Sequence, residues 1–130
     1  MKGVIFDIDG VLCDSEPFIC EAAIRMFDIR YHTRVQPCDF IPFVGAGEDR
    51  YLGGVAEKYG IKLNLESDKV FTYELYLEAI RCKMHPLPGA EEFIAECRKR
   101  GMKLAVASSA DKMKVDGNLR ELQFPAGTFD

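Results

Sequence analysis

Asp7 and Asp9 fall within the apolar run Val4-Ile5-Phe6-Asp7-Ile8-Asp9-Gly10-Val11-Leu12, and their type and spacing make them the strongest candidates for chemistry in this chain. In an extended segment residues i and i+2 project to the same side, so both carboxylates leave the end of a short strand together, at a turn that Gly10 permits. Like charges held so close are costly unless a cation or a proton shares the site. A Mg²⁺ ion with a phosphorylated substrate would answer that cost, and phosphate chemistry is the expectation. A second station lies far along the chain, where Ser108-Ser109 directly follows the apolar run Met102-Lys103-Leu104-Ala105-Val106-Ala107. Small hydroxyls between a strand end and a helix can offer a side-chain oxygen and backbone N–H groups to a phosphate. Either serine could also simply cap the helix that begins near Ala110, and both uses can hold at once.

The elements that must position these residues alternate in type. Gly3 to Asp7 reads as a strand of the continuous apolar kind found in parallel sheets covered on both faces. After Pro17, which suits a first helical position, Phe18, Ile19, Ala22, Ala23, Met26 and Phe27 mark an amphipathic helix to about Ile29. Pro37 and Pro42 break periodicity between Tyr31 and Gly47. A second helix is expected over Glu48 to Lys58, with Gly60 as its stop. A third is expected from a Ser67 cap to about Cys82, with Val70, Tyr73, Leu77 and Ile80 on one stripe. Pro86-Leu87-Pro88-Gly89 reads as a hinge, beyond which helix, Gly101 and the strand at 102–107 resume the alternation.

Composition narrows the functional classes. The 130 residues are 48% hydrophobic without low-complexity tracts, which indicates a folded globular protein. A net charge of −4 and a pI near 5.2 disfavour a nucleic-acid surface. The basic run Arg98-Lys99-Arg100 ends a helix that opens with Glu91-Glu92, so it complements the helix dipole. No run approaches the ~18 to 20 apolar residues of a membrane span, and the strand starts almost at Met1, so a soluble chain without a leader is expected. Five irregularly spaced cysteines and two histidines argue for free thiols in a reducing compartment rather than a zinc site. Asp7-x-Asp9-Gly10 is not a calcium loop, because the sixth and twelfth positions that such a loop needs as Gly and Glu are Leu12 and Phe18. Gly45-x-Gly47 follows no strand and makes a weak dinucleotide fingerprint.

The segment Asp7-x-Asp9-Gly10-Val11-Leu12-x-Asp14-Ser15-Glu16 resembles the first motif of the haloacid dehalogenase (HAD) superfamily, in its phosphatase and phosphomutase branch with a helical cap. Leu104 to Ser109 resembles the second motif. The resemblance implies an α/β fold: a partial Rossmann-like core with a parallel sheet, 1–14 and 87–130, and an inserted α-helical cap, 15–86. It implies that Asp7 is the nucleophile that becomes an aspartyl-phosphate and that Asp9 protonates the leaving oxygen and then activates water. Asp7 and Asp9 would hold Mg²⁺, while Ser108, Ser109 and Gly10 would bind the phosphate. Glu16, Glu48 and Arg50 are candidate cap contacts to substrate. Asp39 to Arg50 and Ser108 to Val115 are also similar to the HAD domain of the plant suppressor-of-quenching type. That likeness implies a plastid-containing lineage, so the expected location is cytoplasm or plastid stroma.

The family's third and fourth motifs, a charge-neutralising lysine or arginine and an acidic pair for the metal, are not found before Asp130. Lys112 and Lys114 follow Ser108 too soon to match that lysine. Only two strong strands are present, a marginal sheet with edges that want neighbours. The expectation is therefore a Mg²⁺-dependent phosphohydrolase acting on a small phosphorylated metabolite, with this chain an incomplete and weakly active portion. The alternatives are a phosphomutase of the same fold and a non-catalytic HAD-like binding module.

Overall fold

The two apolar runs at the beginning and near the end of the chain pair side by side. In this computed structural model, which describes residues 2–125 and 127–129, β1 (Gly3–Phe6) lies parallel to a strand at Lys103–Val106, in register from Gly3↔Lys103 to Phe6↔Val106. Between them come α1 (Glu16–Tyr31), a 3-10 turn (Pro37–Phe43), α2 (Glu48–Lys58), α3 (Leu65–Ile80) and α4 (Ala90–Lys99). The second strand is β2, and α5 (Lys112–Leu122) follows it. Parallel neighbours require a crossover connection, here everything from residue 7 to residue 102.

The described residues divide into two compact units, Met1–Ser15 with Arg81–Asp130, and Glu16–Ile80. In the first, Ile8, Leu12, Leu104, Ile94 and Leu122 are buried. Phe6 meets Phe93 edge-on at 5.9 Å and Phe129 at 6.3 Å. Ile5, on the same strand as Phe6, stays 73% exposed. The alternation of side chains along a strand thus leaves one face of the sheet open.

The helical unit closes around large aromatic side chains. Phe27, Phe40, Tyr73 and Tyr76 are fully buried, and the Phe40 ring stacks on Tyr51 at 4.7 Å. The helix expected over 48–58 forms with those bounds, and α1 extends the expected helix by two residues at each end. The 3-10 turn was not visible in the sequence. Its two prolines break α-periodicity, while Asp39 ties its opening by accepting the Gln36 N–H at 2.8 Å.

α3 differs from the expected stripe. It starts at Leu65 rather than after Ser67, with Asn64 Oδ1 accepting the Ser67 N–H at 3.5 Å. Of the expected stripe, Tyr73 and Ile80 are buried and Leu77 is half-buried, while Val70 is exposed and Asp68, Thr72 and Tyr76 complete the buried face. At the start of the helix the buried place is taken by a charge rather than by Val70. Asp68 accepts from Arg30 at 2.8 Å and from the Tyr31 hydroxyl, which offsets the cost of burying it.

Candidate active site

β1 and β2 deliver their polar residues to the same end of the sheet. The Ala107 N–H donates to the Phe6 carbonyl at 2.8 Å, carrying the ladder one step past Val106. Asp7 and Ser108 therefore leave adjacent parallel strands at their C-terminal ends, where ligands of open α/β sheets bind. The chain then closes a tight loop. Leu12 and Cys13 donate their N–H groups to the Ile8 carbonyl at 2.9 and 3.2 Å, and the Gly10 N–H returns to Cys13 O at 2.8 Å. Gly10 sits at φ +76°, a conformation that a side chain would strain. The loop is tied in turn by the Leu87 N–H, which donates to the Leu12 carbonyl at 2.8 Å.

Within this frame the two aspartates have different surroundings. Asp7 is exposed, and its Oδ1 accepts the Ile8 N–H at 2.8 Å. Asp9 is half-buried and held through both oxygens. The hydroxyl of buried Ser15 donates to Oδ1 at 2.5 Å, and the Lys114 ammonium lies 3.5 Å from Oδ2. Burial first, and then the negative charge of Asp9, push the neighbouring Cys13 thiol up to about 12, so that sulfur stays protonated and is no nucleophile at neutral pH.

Ser108 is half-buried, and its Oγ accepts the Ala110 N–H at 3.1 Å, so the ordinary turn-forming use of this serine is realised. Ser109 beside it is exposed, and α5 begins three residues later at Lys112.

The remaining candidates belong to the helical unit, where Glu16 and Arg50 already have partners. Glu16 Oε1 accepts the Tyr51 hydroxyl at 2.7 Å, and burial and then this carboxylate raise the Tyr51 phenol well above its usual range. Glu48 lies half-buried in the first turn of α2. Arg50 bonds both Glu57 oxygens at 3.3 Å and stacks over Phe43, 4.8 Å from the ring centre. Phe43 in turn rests on Gly54, where a Cβ would fall 2.3 Å from the ring, so only glycine fits.

Two residues beside Asp9 have no role assigned from the sequence: Ser15, which stands only within the first motif, and Lys114, which spacing excludes as the family's lysine. Lys114 carried a usable signal: it shares a helical stripe with Asn118 and Leu122, both buried, and a lysine on a buried stripe implies a buried anion. Among the described residues no three His, Cys, Asp or Glu side chains converge on one point. Asp7 and Asp9 still offer two hard carboxylates, the number Mg²⁺ commonly takes from protein when substrate phosphate and water complete its shell.

Residues 1–129 match the family model of the haloacid dehalogenase-like hydrolases. The chain belongs to that family. It is 40% identical over 133 residues to Protein SUPPRESSOR OF QUENCHING 1, chloroplastic, of Arabidopsis thaliana, a match that covers all of this chain and 12% of that protein. It is 30% identical over 129 residues to the phosphorylated carbohydrates phosphatase of Thermotoga maritima, covering 94% of this chain and 56% of that one. The crystal structure of CbbY from Rhodobacter sphaeroides in complex with phosphate superposes with a TM-score of 0.82 at 20% identity. That likeness, which is one of fold, covers all of this chain and 61% of the CbbY chain. The HAD-type chain thus spans just over half of the phosphatase and a small part of the Arabidopsis protein. No helix among the described residues is long and apolar enough to cross a membrane.

Proposed function

We propose that this HAD-family chain carries the nucleophile half of a phosphohydrolase acting on a small phosphorylated metabolite. Asp7 attacks phosphorus, and the bond to the leaving oxygen breaks as Asp9 gives that oxygen a proton. The resulting aspartyl-phosphate is opened by water, whose proton Asp9 takes back. Ser108, with Ser109 and the Gly10 backbone, holds the phosphoryl oxygens. Mg²⁺ held by Asp7 and Asp9 would neutralise the phosphate charge that otherwise repels an anionic nucleophile. The helical unit acts as the cap, with Glu16, Glu48 and Arg50 as its candidate contacts to substrate. The Thermotoga relative's name supports phosphorylated carbohydrates as the first substrates to try.

The observation that carries this reading is the parallel register, which sends Asp7 and Ser108 out of the same end of β1 and β2. Hydrolysis of p-nitrophenyl phosphate, with and without Mg²⁺, tests it. Asp7→Asn is expected to lose at least about 10³-fold in rate, since a missing nucleophile removes the covalent route. Turnover that survives this substitution, or that ignores Mg²⁺, would contradict the mechanism.

A further inference from the structure

Lys114 stands where two independent costs oppose it. It is the third residue of α5, within the first turn, where the helix dipole disfavours a cation. Its side chain is only 4% exposed, so the ammonium has lost most of its hydration. A residue chosen for stability alone at this position would be apolar, as Leu122 is two turns further along the same buried stripe. Local rules broken in this way point to function more often than to packing.

The ammonium lies 3.5 Å from Asp9 Oδ2, while the Ser15 hydroxyl occupies Oδ1 at 2.5 Å. The Asp9 carboxylate is therefore held at both ends, by the opening loop on one side and by the helix after β2 on the other. Asp7, two residues away, has no such grip and is exposed. We propose that Lys114 is a positioning residue for Asp9. It fixes the plane of the carboxylate and offsets its charge, so that Asp9 keeps one orientation while protons and phosphoryl groups move beside it. The inference rests on the reading of Asp7 as nucleophile and Asp9 as acid and base. Its consequence is a defect in turnover rather than in substrate binding, transmitted wholly through Asp9.

The experiment is steady-state hydrolysis of p-nitrophenyl phosphate with Mg²⁺ by the full chain. It compares wild type with Asp7→Asn, Asp9→Asn, Lys114→Met, Lys114→Arg and the double variant Asp9→Asn with Lys114→Met. Lys114→Met is expected to lower kcat about 10- to 100-fold, the usual effect of removing a group that orients an acting ligand, with KM within about twofold. Lys114→Arg should recover part of that loss. Added to Asp9→Asn, Lys114→Met should cost less than about twofold more, because residues that act as a unit are not additive. A purely structural lysine would instead give losses that multiply. Should the methionine variant fail to fold by circular dichroism, Lys114→Gln, which keeps a donor in the buried position, carries the same expectation. Unchanged kcat in the folded neutral variant, or full multiplication with Asp9→Asn, overturns the inference while Asp7→Asn still abolishes turnover. Absence of Asp7-dependent turnover in the wild type overturns the underlying reading, and the inference with it.

Discussion

Asp39 and Asp68 in the helical unit are buried carboxylates, as Asp9 in part is, yet their surroundings give them a different part to play. Asp39 accepts from Lys58, from the Tyr59 hydroxyl and from the Gln36 N–H, and those bonds hold its carboxyl down to about 2. Asp68 is closed in by Arg30, Tyr31 and the Asn64 N–H. Neither lies at a strand end. Asp7 and Asp9 follow the C-terminal end of β1 beside a glycine turn, and one of them is exposed. A carboxylate closed in by donors supports structure, whereas exposed Asp7, with half-buried Asp9 beside it, stands past the C-terminal end of β1, where ligands of open α/β sheets bind.

The same contrast extends to packing. The helical unit buries Phe27, Phe40, Tyr73 and Tyr76 completely. The α/β unit buries Ile8, Leu12 and Leu104 as fully but, among its described residues, holds no such aromatic cluster at zero exposure, and it leaves Ile5 73% exposed on one face of its sheet. Its two strands give it little sheet to hold together. Stability should therefore be concentrated in the helical unit.

Three substitutions probe this difference between the two units. Phe27→Ala empties a buried site among Tyr31 and Phe40 and is expected to cost about 3–5 kcal/mol. Hydrogen-exchange mass spectrometry should then show lost protection through α1 and α3. A next, smaller effect is expected at Asp39, where Asp39→Asn should cost about 1–3 kcal/mol near neutral pH by removing charge-assisted bonds. The folded value lies below the ordinary 3.8, so this stabilisation is present above about pH 4 and fades as pH falls from there toward about 2. Urea titrations of wild type and variant should accordingly converge over that window, and a gap that persists at pH 2 would refute the assignment. The smallest effect belongs to Ile5→Thr, which keeps a β-branched residue on the exposed face and should change stability by less than about 0.5 kcal/mol. A calorimetric loss there comparable to that of Phe27→Ala would erase the difference between the units.

Much of this architecture was legible because simple patterns carried it. The two apolar runs and the 48–58 helix followed from apolar patterning, and Asp7-x-Asp9-Gly10 marked the end of β1 and the turn at Gly10. The misses share a physical cause, side-chain polarity overriding apolar spacing. Asp68 takes the buried place at the start of α3, where Val70 was expected, by pairing with Arg30, and Asp39 ties the opening of a 3-10 turn in a proline-broken stretch. Spacing along the chain gives Lys114 no role, but its reach to Asp9 depends on β1 and β2 being neighbours. Such pairings join residues far apart in sequence, and no local window contains them.

Whether Asp7 forms a covalent bond to phosphorus is the claim on which the functional account turns. Chemical trapping tests it most directly: the chain is incubated with Mg²⁺ and a phosphoryl donor such as acetyl phosphate, quenched in acid and reduced with borohydride, and its peptides are read by mass spectrometry. The account predicts that position 7 alone is converted to homoserine, the reduction product of an aspartyl-phosphate, and that Asp7→Asn yields none. Conversion at Asp9 instead, or hydrolysis with no trapped species at either aspartate, would contradict it.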